Sequence, residues 1–350
     1  MTSADKPLDL IKKRASELVL LLFFLLLTSA CSDPNQRQLL TFNGSIMGTV
    51  WTVKIVNTAA DELTKSEVNE AISVELQRID HLLSTYRESS ELAKFNRNPS
   101  TEWIAVSKDF VDVMAEASRI SQLTHGAFDV TVAPLVNLWG FGADGNINEI
   151  PSQHAIKQAL EIIGYQKIKI DVINQRLRKI IPEISVDLSA IAKGYAVDQV
   201  ALLLEKLGIK EYLVEVGGEL RAQGNNLANV AWKVGVEVPD HQLRQVYQAI
   251  QLVNEGIATS GDYRNYYELD GQQFAHTIDP VTARPVKHTL ASVTVITNNS
   301  MQADGWATAL MVLGVEKGLA VAEQQQLAVL FISRSSGSLT DRATTAFSRR

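Results

Sequence analysis

Asp187-Leu188-Ser189-Ala190-Ile191-Ala192-Lys193-Gly194-Tyr195-Ala196 joins an apolar strand to the start of a helix, and it separates a helix-rich first half from a strand-rich second half. The helix is expected from about Ser189 to Leu207, with Gly208 as its C-terminal glycine. Exposed N–H groups at such a helix start favour anions, and Lys193 adds a positive charge in the first turn, so the junction can hold a phosphate. A simple capped connection, with Asp187 satisfying backbone donors, reads equally well from these residues alone.

Toward the N-terminus, Thr49 to Val56 alternates, with Trp51, Val53 and Ile55 on one face, as a half-buried strand does. Val68, Ile72, Leu76, Ile79 and Leu83 recur at helical spacing and deliver Ser84, Thr85 and Tyr86 at the helix end. A second helix is expected from an N-cap at Ser107 through Phe110, Met114, Ala117 and Ile120 to His125-Gly126, and a third from Ser152 to Gly164. Toward the C-terminus the pattern turns to strands at 211–216, 219–224, 232–238, 248–252, 266–269, 272–278 and 292–297, with Asp270-Gly271 as a hairpin turn. A helix from Ser300 to Leu313 and a strand at 328–332 follow, and the Ser/Thr/Arg-rich end from Ser333 is expected to fray. Helices and strands are interspersed without strict βαβ order, which predicts an α+β fold with a mixed, mainly antiparallel sheet and packed helices.

The 350 residues are 46% apolar and 21% charged, which excludes a disordered or collagen-like chain. A net charge of -6 supplies no field for phosphate backbones, so nucleic acid is not an expected partner. The single cysteine, Cys31, excludes internal disulfides and thiol metal sites. Lys12, Lys13 and Arg14 precede an apolar run from Leu18 to Leu27, about 15 Å as a helix against a bilayer core of about 30 Å. That is an export signal rather than a span. Thr28-Ser29-Ala30-Cys31 reads as a lipoprotein processing site, although Thr28 stands where such signals usually carry Leu or Val; an ordinary secretory signal with an incidental cysteine is the alternative. The expected division is residues 1–30 as signal peptide, 31–38 as a tether after a lipidated cysteine and 39–350 as one domain. The protein is then an exported lipoprotein on the periplasmic side of a bacterial membrane.

Other constellations carry chemistry by residue type. Asp304 and Thr308 stand four apart on one helix face and can offer oxygen ligands to a hard cation, while an Asp compensating the helix dipole is the plainer reading. His276 can act as a base or phosphate ligand, or be an ordinary strand residue, and Asp279-Pro280 forms a turn. Gly217-Gly218 permits a tight turn or close approach to a ligand. Ala127-Phe128-Asp129 and the aromatic, Gly-rich stretch 134–142 can sandwich a planar ring or pack as core.

Taken in order, Ser45-Ile46-Met47-Gly48-Thr49, Ser84-Thr85-Tyr86, Gly126-Ala127-Phe128-Asp129, the 187–194 stretch, Val216-Gly217-Gly218-Glu219, Ser260-Gly261-Asp262-Tyr263, His276-Thr277-Ile278-Asp279-Pro280 and Ala303-Asp304-Gly305-Trp306-Ala307-Thr308 closely resemble the ApbE family of FAD:protein FMN transferases. The resemblance covers about Phe42 to Ile332 and implies an ApbE-like fold with its active site in a central cleft. It implies Mg2+-dependent transfer of FMN from FAD to a Ser or Thr hydroxyl of an acceptor protein, with AMP leaving. By motif match, Asp304, Thr308 and the backbone oxygen of Ala190 are expected to bind Mg2+. Met47, Tyr86, Ala127, Phe128, Asp129, Asp187, Lys193 and Ile278 are expected to line the FAD site, and His276 to move a proton or steady the transferred phosphate. Met301, three residues before Asp304, offers no carboxylate for a second metal. The implied acceptors are subunits of sodium-pumping or electron-transfer complexes. Two other activities use the same residues: a Mg2+-dependent FAD pyrophosphatase giving FMN and AMP, and a non-catalytic FAD-binding lipoprotein.

Overall fold

In the computed structural model, residues 37–58, 64–142, 150–240, 245–262, 266–269, 272–335 and 338–350 are described. Cys31, the signal segment, Tyr263 and Asp270-Gly271 lie outside them. β1 (Arg37–Ile46) and β2 (Thr49–Thr58) are joined by Met47-Gly48, both with positive φ (52° and 70°), the conformation a two-residue hairpin turn demands. β1 thus takes up Arg37 and Gln38, which the sequence assigned to the tether. Helix α1 (Lys65–Leu83) starts at a capping box between Thr64 and Glu67 and buries Val68, Ile72, Leu76, Ile79 and Leu83. Then follow α2 (Glu91–Arg97), β3 (Ile104–Ala105), α3 (Lys108–Leu123) capped by Ser107, α4 (Ala133–Leu138) and α5 (Gln153–Glu161) capped by Ser152. β4 (Ile168–Asp171) and β5 (Arg176–Lys179) form a small sheet with β3.

The second half holds α6 (Ala192–Lys206), β6 (Tyr212–Val216), β7 (Glu219–Gln223), β8 (Trp232–Glu237), β9 (Val246–Leu252), β10 (Gly256–Gly261), β11 (Tyr266–Leu269), β12 (Gln272–Ala275), β13 (Ile278–Asp279), β14 (Arg284–Pro285) and β15 (Leu290–Thr297). After them come α7 (Ser300–Gln324), β16 (Ala328–Ser335), β17 (Ser338–Ala343) and α8 (Thr345–Ser348). One eight-stranded sheet runs β1-β2-β6-β7-β10-β15-β16-β17, antiparallel from β2 onward. The α+β expectation with a mainly antiparallel sheet is what the chain adopts. Leu39–Asn57 and Leu63–Arg350 belong to one body.

The sheet is buried on both faces. Val293, Val295, Val329 and Phe331 join the helices in the main core, while their neighbours Ile296, Leu330 and Ile332 pack under the β8–β9 ribbon with Trp232 and Val234. Helix α7 is apolar nearly all round and long enough to cross a membrane by length and composition, yet it is the core helix, with Trp306, Ala309, Leu310 and Met311 buried.

Several boundaries differ from the sequence reading. No strand directly precedes Asp187: the Asn96 side chain supplies both backbone partners of Val186, accepting from its N–H and donating to its carbonyl at 2.8 Å each. Helix α6 begins at Ala192 rather than Ser189, because Asp187 Oδ1 accepts from both the N–H and the hydroxyl of Ser189 and folds that segment into its own turn. Helix α5 ends at Glu161 rather than Gly164, and the expected strand 272–278 divides into β12 and β13. The helix expected to stop at Leu313 does break there, at Gly314 (φ 71°), and then resumes to Gln324. The end expected to fray forms β17 and α8.

Candidate functional site

Two hairpin turns and two helix starts converge. The Gly217-Gly218 turn between β6 and β7 has φ of 65° and 105°, and Gly217 N–H donates to the Val50 carbonyl at 3.0 Å, which places it beside the Met47-Gly48 turn. A Cβ on Gly217 would stand 3.0 Å from Thr49 and 3.2 Å from Lys193 Cδ, so its absence lets the lysine stem pass. Lys193 comes from the first turn of α6. The next residue, Gly194, brings that turn against α7 so closely that a Cβ would lie 2.4 Å from the Ser300 carbonyl oxygen and 2.8 Å from Asp304 Cβ.

Asp198, further along α6, accepts the Ser300 and Met301 N–H groups at 2.9 and 2.8 Å, and Asn299 accepts from Gln302 N–H. These bonds satisfy the first donors of α7 and fix where Asp304 projects. Arg221 of β7 lies 3.2 Å from Asp198 and balances its charge.

Asp304 is only 5% exposed. Its Oδ2 accepts the Gly194 N–H at 3.0 Å, one of the first-turn donors of α6 that has no acceptor within its own helix. The Ala190 carbonyl precedes the N-cap Ile191 and so stands outside the helix ladder. Asp304 Oδ1 lies 3.8 Å from Lys193 Nζ, which donates to Glu219 Oε1 at 2.8 Å. Two buried carboxylates therefore share one ammonium. Burial pushes the Asp304 carboxyl up, against the pull of Lys193 and the Gly194 N–H. Burial likewise pushes Glu219 up, to about 7, with Lys193 pulling the other way. Burial alone would lower Lys193, but Asp304 and Glu219 outweigh it and hold the ammonium above its usual value.

The donors fit a hard divalent cation. Among the described residues Asp304 Oδ1 is met by an ammonium 3.8 Å away, the Ala190 carbonyl lies just before the start of α6, and Thr308 stands one turn beyond Asp304 on α7. No group of three or more His, Cys, Asp or Glu side chains suited to a metal occurs among the described residues. The expected residues offer instead one carboxylate, one hydroxyl and one backbone oxygen, a sparse set of the kind Mg2+ accepts when water and phosphate oxygens complete its shell.

The other expected residues fall into two adjoining groups. Asp187 N–H donates to the Val130 carbonyl at 2.7 Å, tying the helix junction to Ala127, Phe128 and Asp129, all buried. The Asp129 carboxylate is engaged within the fold, accepting from the N–H and hydroxyl of Thr131 and from Tyr165 N–H, so what this loop offers a ligand is backbone. Ile278 is buried with Trp139 and Phe274 in a separate cluster, and His276, between β12 and β13, stands edge-on to Phe141 with ring centroids 6.4 Å apart. That hairpin reaches the Gly126 loop through Val281, 3.9 Å from where a Gly126 Cβ would stand. Met47 sits in its turn, and Tyr86 projects beyond α1 with 82% of its surface exposed. A groove of about 520 Å³ lies elsewhere, between α3 and β4, lined by Arg119, Tyr165 and Ile170 and by none of the expected residues.

Glu219, Asp198 and Asn96 are residues whose part the sequence reading missed. Glu219 was legible in principle: a two-residue glycine turn pairs it with Val216, so it must face the same side as that core valine.

Residues 47–331 match the sequence model of the ApbE family. The chain is 41% identical over 325 residues to the FAD:protein FMN transferase of Haemophilus influenzae, covering 92% of this chain and 93% of that one. It is 42% identical over 323 residues to the FAD:protein FMN transferase of Vibrio cholerae, with 92% and 95% covered. Among solved structures, the flavin transferase ApbE from Vibrio cholerae superposes with a TM-score of 0.82 at 40% identity, over 89% of this chain and 99% of that one. The apo flavinyl transferase ApbE of Pseudomonas stutzeri gives 0.83 at 39% identity, over 91% and 98%.

Proposed function

The chain belongs to the ApbE family, and from that premise we propose that it transfers FMN from FAD to a Ser or Thr hydroxyl of an acceptor protein. The hydroxyl oxygen attacks the phosphorus that carries the riboflavin portion. A new O–P bond forms, the bond from that phosphorus to the bridging oxygen breaks, and AMP leaves with the electron pair. His276 takes the hydroxyl proton. Met47, Tyr86, Ala127, Phe128, Asp129, Asp187, Lys193 and Ile278 line the FAD site, with Lys193 supplying positive charge to the pyrophosphate. Mg2+ would be held by Asp304, Thr308 and the Ala190 carbonyl and, when bound, neutralises charge on the pyrophosphate.

The observation that carries this reading is the join of the α6 and α7 starts, where buried Asp304 takes the Gly194 N–H through one oxygen and keeps the other 3.8 Å from the Lys193 ammonium. Incubation with FAD, Mg2+ and a Ser/Thr-bearing acceptor should add the mass of one FMN to the acceptor. Free FMN and AMP with no adduct on any acceptor would replace transfer by hydrolysis. Bound FAD left intact would leave a carrier.

We further read the acceptors as exported redox subunits of sodium-pumping or electron-transfer complexes, and the protein as a lipoprotein anchored through Cys31 on the periplasmic side. What supports this is the basic, apolar, small-residue order of residues 12–31. Cys31→Ser should release the protein from membranes, and an unchanged acylated mass would refute the anchor.

A further inference from the structure

We propose that Glu219 is a positioning residue: it holds the Lys193 ammonium off Asp304, so that Asp304 Oδ1 stays available to a divalent cation. This rests on the metal site described above.

Lys193 Nζ lies between two buried carboxylates but not midway, at 2.8 Å from Glu219 Oε1 and 3.8 Å from Asp304 Oδ1. Asp304 has one oxygen to spare, because Oδ2 takes the Gly194 N–H. An ammonium paired directly with Oδ1 would compete with any metal for that atom. The asymmetry removes the competition, and Glu219 imposes it.

Glu219 is placed for this alone. It opens β7 opposite Val216 and is 5% exposed, a position that an apolar residue would fill without desolvating a charge. Its second oxygen, Oε2, is buried with no hydrogen-bond partner among the described residues, so the ion pair with Lys193 is the main polar engagement of its side chain there. Retaining a carboxylate with one oxygen unmatched is costly, and packing gains nothing from it. The route is also prepared, since Gly217 lacks the Cβ that would stand 3.2 Å from Lys193 Cδ.

Mn2+ binding to the full-length protein, followed by electron paramagnetic resonance without FAD, tests this directly. Wild type is expected to bind and Asp304→Ala to lose binding. Glu219→Gln keeps the shape but drops the latch, and its Mn2+ dissociation constant is expected to rise at least tenfold. Glu219→Asp keeps the charge but withdraws it by one methylene, and should weaken binding nearly as much. Lys193→Met added to Glu219→Gln should recover the affinity, because the competing ammonium is gone. Glu219→Gln with wild-type Mn2+ affinity overturns the proposal, as does Glu219→Asp with wild-type affinity beside a weak Glu219→Gln, which would reduce Glu219 to a diffuse negative field. If Asp304→Ala binds Mn2+ as wild type does, the metal site itself is wrong and the latch falls with it. Melting temperatures of the same variants separate a packing role, which would lower them without moving Mn2+ affinity.

Discussion

Gly194 does two things at its position, and the second is open to glycine alone. Its N–H reaches Asp304, and its missing Cβ lets α6 approach α7 where an added methyl would meet the Ser300 carbonyl oxygen at 2.4 Å. The obstacle is backbone, so relief requires the helices to part. Gly194→Ala should cost about 1–3 kcal/mol of stability, the range for overpacking, and should reduce FMN transfer far more than the unfolded fraction explains. Denaturant titration beside an acceptor-labelling assay checks both, and full activity at reduced stability would show that the close approach matters to packing only. The motif residues at this junction were legible because each has a chemistry visible in its side chain. What Gly194 and Asn96 do was not, since one acts by lacking an atom and the other by standing in for a strand 90 residues away in sequence. Asp304 likewise showed its type but not its neighbours: nothing in the chain order brings Glu219 to Lys193.

At the scale of elements, a helix start was legible where a capping side chain precedes an apolar stripe, because cap and stripe are both local, whereas helix ends were less so. Ser107 and Ser152 begin α3 and α5 as expected. Helix α6 was misplaced by the same chemistry, since Asp187 and Ser189 form a turn with each other rather than a cap. Three helices meet at one carboxylate. Asp109 of α3 accepts two bonds from the Arg78 guanidinium of α1, at 3.0 Å each, and one from the Tyr195 hydroxyl of α6 at 2.6 Å. Burial pushes Asp109 up, but Arg78 and Tyr195 together outweigh it and hold its carboxyl below the ordinary 3.8. A carboxyl lowered on folding adds stability that is present above the unfolded-state value and is lost as pH falls through the folded one. Asp109→Asn should therefore cost about 2 kcal/mol near neutral pH, the worth of hydrogen bonds to a charged group, and the gap to wild type should narrow as pH falls below the ordinary carboxylate range. A gap of constant size from pH 7 to pH 3 would show that the carboxylate's charge contributes nothing to the tie.

For the molecule as a whole, the sheet has one end that composition disguised. The Ser/Thr/Arg-rich tail lacks an apolar stripe, yet it closes the sheet, because β17 needs only backbone pairing along β16 from Leu330↔Ala343 to Ser335↔Ser338. Thr344 accepts the Val329 N–H and donates to the Leu327 carbonyl, Phe347 packs into the second core, and Arg350 pairs with both oxygens of Glu255 at 2.5 and 2.6 Å. The last 13 residues thus staple β16 to the loop before β10, although the family match ends at residue 331. Deleting residues 338–350 strips one side of β16 and leaves Val329, Phe331 and their neighbours on an unpaired edge, the kind that recruits another chain. The shortened protein should melt several degrees lower and self-associate with rising concentration, as read by thermal denaturation and light scattering. Asp304 and Lys193 sit strands away from that edge, so Mn2+ affinity in the fraction that stays folded should match wild type. If the truncated protein melts with wild-type and does not associate, the tail frays as its composition first implied.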